Sequence, residues 1–435
     1  MRSTLSAIAT TSVILLASQA SRALEFPEPY RDGQAVCGPQ SFAAKVHGFW
    51  IDVPIDYENP GRGTEKIFTW TNEKFDPAKE SVIHFDGGPG MPSAGEHHFD
   101  SKVPDFNVVY FNQRGSLCSL PRDKRLLLDP TYLSSKNIAK DGNEIRKRFG
   151  IPKWTVYGAS YGTIPATIAG HLFPESTVAV VLEGIIYDGS ERLWSAPFRL
   201  WSQNRFFRGL PASLRSRVLQ VTNLSGASPE WFSQWMKGRA HLLEGSGYEQ
   251  SVKALEEMLS RPDEALSEIL ARWTPATASS LATDPTEGAF QFLVISCAEL
   301  SGNSEIASWE AVFDSNGTLA PSKRGSLKSE CEKHGLTSSA TFKAKDYPIS
   351  VPVTYFQGER DPATPLNHAV AHFRKVATGD RQLLLAPSRG HDVSGNFCMP
   401  PQKALFQEAL RGQEITQEMI DRAKNPGATP LVIFR

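Results

Sequence analysis

Short apolar runs separated by turn residues fill the first part of the chain. Gly48-Phe-Trp-Ile-Asp-Val-Pro54 reads as a strand that stops at proline, and Lys66-Ile-Phe-Thr-Trp70 alternates like a second. Between them Asn59-Pro-Gly-Arg-Gly63 is a cluster of turn residues. Ser81-Val-Ile-His-Phe85, Asn107-Val-Val-Tyr-Phe111, the segment from Lys153 to Tyr157 and Thr177-Val-Ala-Val-Val-Leu182 are short and apolar. Strands of a parallel sheet, covered on both faces, have this pattern. Tyr132 to Phe149 is polar and helical in character, and a small-residue helical pattern (Ile164, Ala166, Ile168, Ala169) precedes the strand at Thr177. The alternation predicts an α/β fold, a mostly parallel sheet with helices on both faces.

The pattern changes near Asp188. From there to Tyr347 helical spacing dominates: Val252, Leu255, Met258 and Leu259 recur on one face, as do Leu266, Ile269, Leu270 and Trp273. Ser228-Pro-Glu230 places a capping residue before a proline at the first helical position. This stretch is predicted to be an inserted helical cap. Sheet character returns at Val351-Pro-Val-Thr-Tyr-Phe356 and Arg381-Gln-Leu-Leu-Leu385, and an amphipathic helix with Ala404, Leu405 and Leu410 closes the core. The expected organisation is a core over 24–187 and 348–435, with the cap over 188–347.

The first residues change the picture of where the chain acts. Met1-Arg2 is a positive start, Ala7 to Ala17 is mostly apolar, and small residues precede possible cleavage points after Ala20 and Ala23. Residues 1–23 therefore read as a secretory signal peptide, too short in its apolar part to span a bilayer. The expectation is export to the periplasm or the medium. Such a compartment permits disulfides, and there are five cysteines. Their positions suggest Cys37 with Cys118 and Cys297 with Cys331, leaving Cys398 over, although spacing leaves other pairings open. Forty-six basic against 47 acidic residues argue against a nucleic-acid surface or a polybasic membrane patch. Asn223-Leu-Ser225 and Asn316-Gly-Thr318 match the glycosylation sequon.

The candidate chemistry centres on Trp154-Thr-Val-Tyr-Gly-Ala-Ser-Tyr-Gly-Thr163, which holds the pentapeptide Gly158-Ala-Ser160-Tyr-Gly162 between a strand and a helix. A serine on so tight a turn needs small neighbours and stands exposed as a nucleophile. Its hydroxyl is a poor nucleophile until a general base, oriented by an acid, takes its proton. Asp361 lies just past the strand at Val351, and His391 just past the strand at Arg381, in the order acid then histidine. Glu359 is an alternative acid, whereas Asp392 reads as a solvated carboxylate. His368 and His372 share a helix face without the glutamate of a zinc-peptidase helix, and read as structural. The oxyanion needs donors: the N–H of Tyr161, and one from the glycine-rich loop after Phe85, at Gly87 or Gly88.

Taken together, Gly87-Gly-Pro-Gly90, Asn112-Gln-Arg-Gly115, Gly158-Ala-Ser-Tyr-Gly162, Gly358 to Pro365 and Gly390-His391 resemble the prolyl aminopeptidase and secreted tripeptidyl aminopeptidase group of α/β-hydrolases. The resemblance spans about 300 residues. Two positions depart from it: Asn112 stands where aspartate is usual, and Asp86 interrupts the usual His-Gly-Gly-Pro-Gly, leaving His84 upstream. The resemblance implies Ser160 as nucleophile, His391 as base, Asp361 as orienting acid, and a cap that admits a peptide's free N-terminus. It also implies acidic groups for the substrate ammonium, with Glu183 and Glu299 as candidates. The expected partners are peptide substrates, with no nucleic acid and, in the mature form, no membrane; no cofactor or metal is expected. An esterase or lipase using the same triad is the alternative, and a non-catalytic binding protein on this scaffold a more distant one. The oligomeric state and the number of residues released per cleavage stay open.

Overall fold

Alternating and continuous apolar runs fold here into one twisted sheet, because each strand has at least one face to bury. The computed structural model describes residues 30–31, 34–35, 46–91, 99–189, 207–227, 231–232, 235, 246–271, 288–300, 331–336, 341–361, 363–387, 389–397, 399–424 and 430–435. A short ladder pairs β1 (Tyr30–Arg31) with β2 (Gln34–Ala35). The main sheet contains β3 (His47–Pro54), β4 (Thr64–Thr71), β5 (Glu80–Phe85), β6 (Phe106–Phe111), β7 (Trp154–Ala159), β8 (Thr177–Glu183), β9 (Val353–Gly358), β10 (Arg381–Ala386) and β11 (Val432–Phe434). Their spatial order is β11-β10-β9-β8-β7-β5-β6-β4-β3. The six strands from β10 to β6 run parallel, while β3, β4 and β11 add antiparallel edges.

Helix α1 (Ser135–Phe149) and α2 (Thr163–Leu172) lie in the sequence around β7. Ser134 caps α1 by accepting from the N–H of Asn137, and Gly150 ends it in the left-handed conformation, φ +68°. Ile138 and Ile145 of α1 and Ile164 and Ile168 of α2 are buried with Ile83, Val109 and Val156 of the sheet in one core. A second core joins Val82, Val108, Tyr157, Val181 and Phe356 of the sheet to Leu405, Phe406 and Leu410. Those last three belong to the helix Pro400–Leu410. Among the described residues the strands and helices expected of the core are therefore present, each within a few residues of its expected bounds. The short helix Gln417–Arg422 and β11 had no counterpart in the sequence reading.

The inserted segment leaves and re-enters the core side by side. Asp188 bridges to Lys343, Gly189 N–H donates to the Phe342 carbonyl at 2.8 Å, and Ala344 N–H donates to the Tyr187 carbonyl at 2.8 Å. Between these points the described helices are α3 (Ala212–Thr222), α4 (Ser246–Leu259), α5 (Asp263–Ala271) and α6 (Ala289–Ile295). Leu214, Val218, Trp231, Trp235, Leu255, Leu266 and Leu270 form a separate core of their own. Helix α6 packs instead against the body: Leu293, Val294, Cys297 and Cys331 join Tyr132 and Leu133. The residues Ser228 to Glu230, the sequon at Asn316, the leader, Cys37 and Cys398 lie outside the described residues. No described helix is long and apolar enough to cross a membrane.

Candidate active site

The topology fixes where chemistry can collect. The chain runs from β5 outward to β6 and then returns to β7 on the other side of β5, so the connections diverge between β5 and β7. Crevices beyond the carboxyl ends of such strands are where open α/β sheets bind ligands. Register aligns those ends: Phe85 pairs with Gly158, Ala159 with Glu183, Glu183 with Phe356, and Gly358 with Ala386. Gly87, Ser160, Gly184, Asp361 and the loop of His391 follow these positions.

Ser160 is held at φ +54°, in the left-handed region that a serine rarely occupies. A non-glycine residue there carries strain of about 1–3 kcal/mol, so the surroundings must impose it. The imposition is visible. A side chain at Gly162 would run into the carbonyl of Phe85, so the turn presses directly on β5. Thr163 Oγ1 donates to the Ser160 carbonyl at 2.6 Å and accepts from the N–H of Ile186 at 3.1 Å. Gly87 lies against the nucleophile: a Cβ built on it would stand 3.2 Å from Ser160 Cβ and 3.7 Å from Ser160 Oγ.

Asp361 is 1% exposed and fully engaged. Its Oδ1 accepts from the backbone N–H of Ala363 (2.8 Å) and of Thr364 (2.9 Å). Its Oδ2 accepts from His391 Nδ1 (2.8 Å), Thr364 Oγ1 (2.6 Å) and Gln357 Nε2 (3.2 Å). Burial works against ionisation, but His391 and these donors outweigh it and hold the carboxyl below its ordinary value. Burial likewise opposes the imidazolium of His391, yet the facing carboxylate wins and raises its pKa above the ordinary 6.5. The ring stands over Gly184: a Cβ there would lie 2.8 Å from His391 Cε1. Gly184 follows Glu183, which pairs with Ala159 in the strand that leads into Ser160. Asp361 and His391, 30 positions apart in sequence, thus meet past the carboxyl ends of the parallel strands, the same ends from which the Ser160 turn leaves β7. Glu359 and Asp392 are exposed.

The two acidic candidates for a substrate ammonium serve other partners. Glu183 is 3% exposed. Its Oε1 accepts from the N–H groups of Val393 and Ser394, each at 2.7 Å, and its Oε2 from Tyr157 Oη at 2.7 Å. It is buried beneath the loop that carries His391. Glu299 lies in a wide helical turn after α6, and its carboxylate turns to the start of α1. It accepts from Ser135 N–H at 2.9 Å and from Ser135 Oγ, and Ser135 Oγ in turn meets Tyr161 Oη at 2.8 Å. Burial raises the Glu299 pKa against these donors. A carboxylate at a helix N-terminus is favoured there by the helix dipole. His372, buried between Tyr355 Oη (2.9 Å) and Thr167 Oγ1 (3.0 Å), is pushed down to about 3 by burial, and His368 Nδ1 accepts from Tyr187 N–H.

The sequence reading gave no role to the residues of the Gln-Arg-Gly motif. Arg114 is wholly buried; it makes a forked bond to Asp141 (2.7 and 2.5 Å) and donates to the carbonyls of Pro54, Ile55 and Tyr132. It thereby ties β3 and α1 to the loop after β6. Gln113 Nε2 donates to the Asp86 carbonyl at 3.1 Å. The spacing after β6 marked the motif, but no sequence signal shows which backbone groups it meets. One disulfide of the expected pair, Cys297–Cys331, is formed, and Cys118 is also disulfide-bonded.

A strained serine on a strand-to-helix turn against a glycine loop, with an acid-held imidazole on the loop after a neighbouring parallel strand, is the arrangement of an α/β-hydrolase. The family model for the alpha/beta hydrolase fold matches residues 81–394, and the chain belongs to that family. Within it, curated proline iminopeptidases are similar. That of Neisseria meningitidis serogroup A is 30% identical over 123 residues, covering 28% of this chain and 38% of that protein. That of Arabidopsis thaliana is 31% identical over 111 residues, 25% of this chain and 27% of that protein. The chain thus matches about a third of the length of such relatives. Among solved structures, the proline iminopeptidase of Mycobacterium smegmatis aligns with a TM-score of 0.40 at 15% identity, over 83% of this chain and 97% of that one.

Proposed function

We propose that this α/β-hydrolase is a serine aminopeptidase that cleaves peptide bonds near a free N-terminus through an acyl-enzyme. Ser160 Oγ attacks the scissile carbonyl while His391 takes its proton, and the imidazolium formed is stabilised by Asp361. His391 then returns the proton to the leaving amine, and water, activated by the same ring, releases the acyl group from Ser160. The N–H groups of Tyr161 and of Gly87 or Gly88 receive the oxyanion, each such donor being worth about 10²–10³ in kcat. The observations that support this reading are the close approach of Gly87 to Ser160 and the hydrogen bond by which Asp361 holds the ring of His391. The free-amine requirement is supported by the motif resemblance and by the names of the curated relatives. The leader-like residues 1–23 and the Cys297–Cys331 bond support an exported protein.

The test uses paired anilide substrates, one set with a free N-terminal amine, including prolyl and tripeptidyl derivatives, and one set with the amine blocked. An aminopeptidase turns over the free set alone; equal turnover of the blocked set, or a preference for simple esters, favours the esterase reading. Ser160→Ala should abolish turnover and labelling by a fluorophosphonate while leaving the melting temperature nearly unchanged. Retained turnover in that variant rejects the mechanism.

A further inference from the structure

Both expected oxyanion donors are backbone groups, so their aim depends on what grips the peptide planes around them. In a trans peptide the C=O and the N–H point in opposite directions. The Asp86 carbonyl is pulled to one side by Gln113 Nε2 at 3.1 Å. The N–H of the same peptide unit, that of Gly87, is thereby turned the other way, and Gly87 lies against Ser160. Gln113 is itself held: its Oε1 accepts from Gln291 Nε2 at 2.6 Å. Gln291 belongs to α6, in the inserted segment, and is 0% exposed; Gln113 is 3% exposed. A buried amide pair in low dielectric is strong when made and costly when half broken.

Helix α6 touches the same loop a second time. Gly288, immediately before it, meets Gly90 backbone to backbone, so closely that a side chain on either would run into the other's carbonyl. The helical run that continues from α6 reaches the second donor as well. Glu299 holds Ser135, and Ser135 Oγ holds the phenol of Tyr161, the residue whose N–H is the other expected donor. One continuous stretch of the cap, 288–300, therefore braces the loop of Gly87 and the turn of Tyr161 together.

We propose that Gln291 and Gln113 are positioning residues that set the Asp86–Gly87 peptide, and that α6 through this amide relay couples the cap to the oxyanion hole. The inference rests on the hydrolytic reading above. It gives the glutamine of the Gln-Arg-Gly motif a task, and it makes the cap part of the catalytic frame as well as a substrate gate. Gln291→Leu removes the donor to Gln113. Gln291→Glu keeps the shape but exchanges the amide donor for a carboxyl group that, once ionised, only accepts. Gln113 must then turn its amide toward residue 291 and present its own carbonyl to that of Asp86.

The experiment measures kcat and KM on a free-amine anilide for Gln291→Leu, Gln291→Glu, Gln113→Leu and the Gln291→Leu/Gln113→Leu double variant. It also measures inhibition by an aminoacyl boronic acid, whose boron accepts the serine oxygen to become a tetrahedral anion. Misaiming a donor costs less than deleting it, so each single variant should lose about tenfold in kcat with KM nearly unchanged. Boronate affinity should fall by a similar factor, and the double variant should be no worse than the worse single one. Wild-type kcat in Gln291→Leu, wild-type kcat in Gln291→Glu at the alkaline end of its pH–rate profile where the buried carboxyl is ionised, or losses that multiply in the double variant, overturn the relay. Should Gln291→Leu fail to melt cooperatively, the isosteric Gln291→Glu decides. An inert Ser160→Ala with fully active Gln291 variants overturns the relay alone, whereas an active Ser160→Ala overturns the hydrolytic reading itself.

Discussion

Gly184→Ala is the sharpest probe of where the imidazole stands. Gly184 has φ +62°, and its missing Cβ is the space in which the acid–histidine pair sits. A methyl there would lie 2.8 Å from His391 Cε1, 3.0 Å from His391 Nδ1 and 3.0 Å from Thr364 Oγ1, where ordinary contact begins at 3.4 Å. Thr364 Oγ1 is fixed by its 2.6 Å bond to Asp361, so the ring must yield by about 0.6 Å. Left-handed backbone costs an alanine about 1–2 kcal/mol, and overpacking adds about 1–3 kcal/mol. A misplacement of about 1 Å in a catalytic group can cost about 10²-fold in rate, which makes a fall of roughly tenfold the expectation here. Gly150→Ala is the matched control. Its φ of +68° carries the same backbone strain, but nothing lies within 4 Å of the new methyl. Both variants should melt several degrees low, and only Gly184→Ala should lose kcat on a free-amine anilide. Equal kcat in the two would refute the placement of His391 against Gly184 and the argument built on it.

Other expected outcomes follow from the same geometry. Asp361→Asn should lower kcat about 10⁴-fold, because the imidazole loses its orienting acceptor. In the unaltered protein activity should rise with pH through a midpoint above 6.5, since the base must be neutral and Asp361 raises its pKa; in Asp361→Asn that midpoint should move down, as a pH–rate profile would show. Glu183→Leu leaves the N–H groups of Val393 and Ser394 and the phenol of Tyr157 without their acceptor, at about 1–3 kcal/mol each. It should depress the melting temperature and kcat together. Arg114→Met strands the buried Asp141 and should cost about 3–5 kcal/mol in denaturant unfolding, with Arg114→Met/Asp141→Leu recovering part of the loss.

The legible part of this molecule was what short-range pattern controls. Runs such as Thr177 to Leu182, short and rich in β-branched residues, read as buried strands. The order Ser160, Asp361, His391 follows from each residue lying just past a strand end, and parallel register then aligns those ends without further information. Side-chain assignments between elements were not legible. Glu183 at a strand end looked available to a ligand, but the loop 210 positions later in the chain folds over it. Glu299 reads as a candidate for the substrate ammonium, and its bond to the start of α1, 164 positions away, has no signal in the spacing. Gln113 and Gln291 meet across 178 positions, a distance over which spacing carries no signal. The edge strand β11 is only three residues long, too short for alternation to register.

The neighbouring placement of Asp188 and Lys343 has a consequence for how such a chain can change over time. Because the two ends of the insert are hydrogen-bonded together, the sheet beneath experiences it as a closed loop, and lengthening that loop adds only slowly to its entropic cost. The cassette can be resized or exchanged while the strands keep their alignment, provided each replacement preserves the few amide and backbone contacts it makes with the reactive end of the sheet. Specificity is then free to drift in the cassette while those contact points stay fixed.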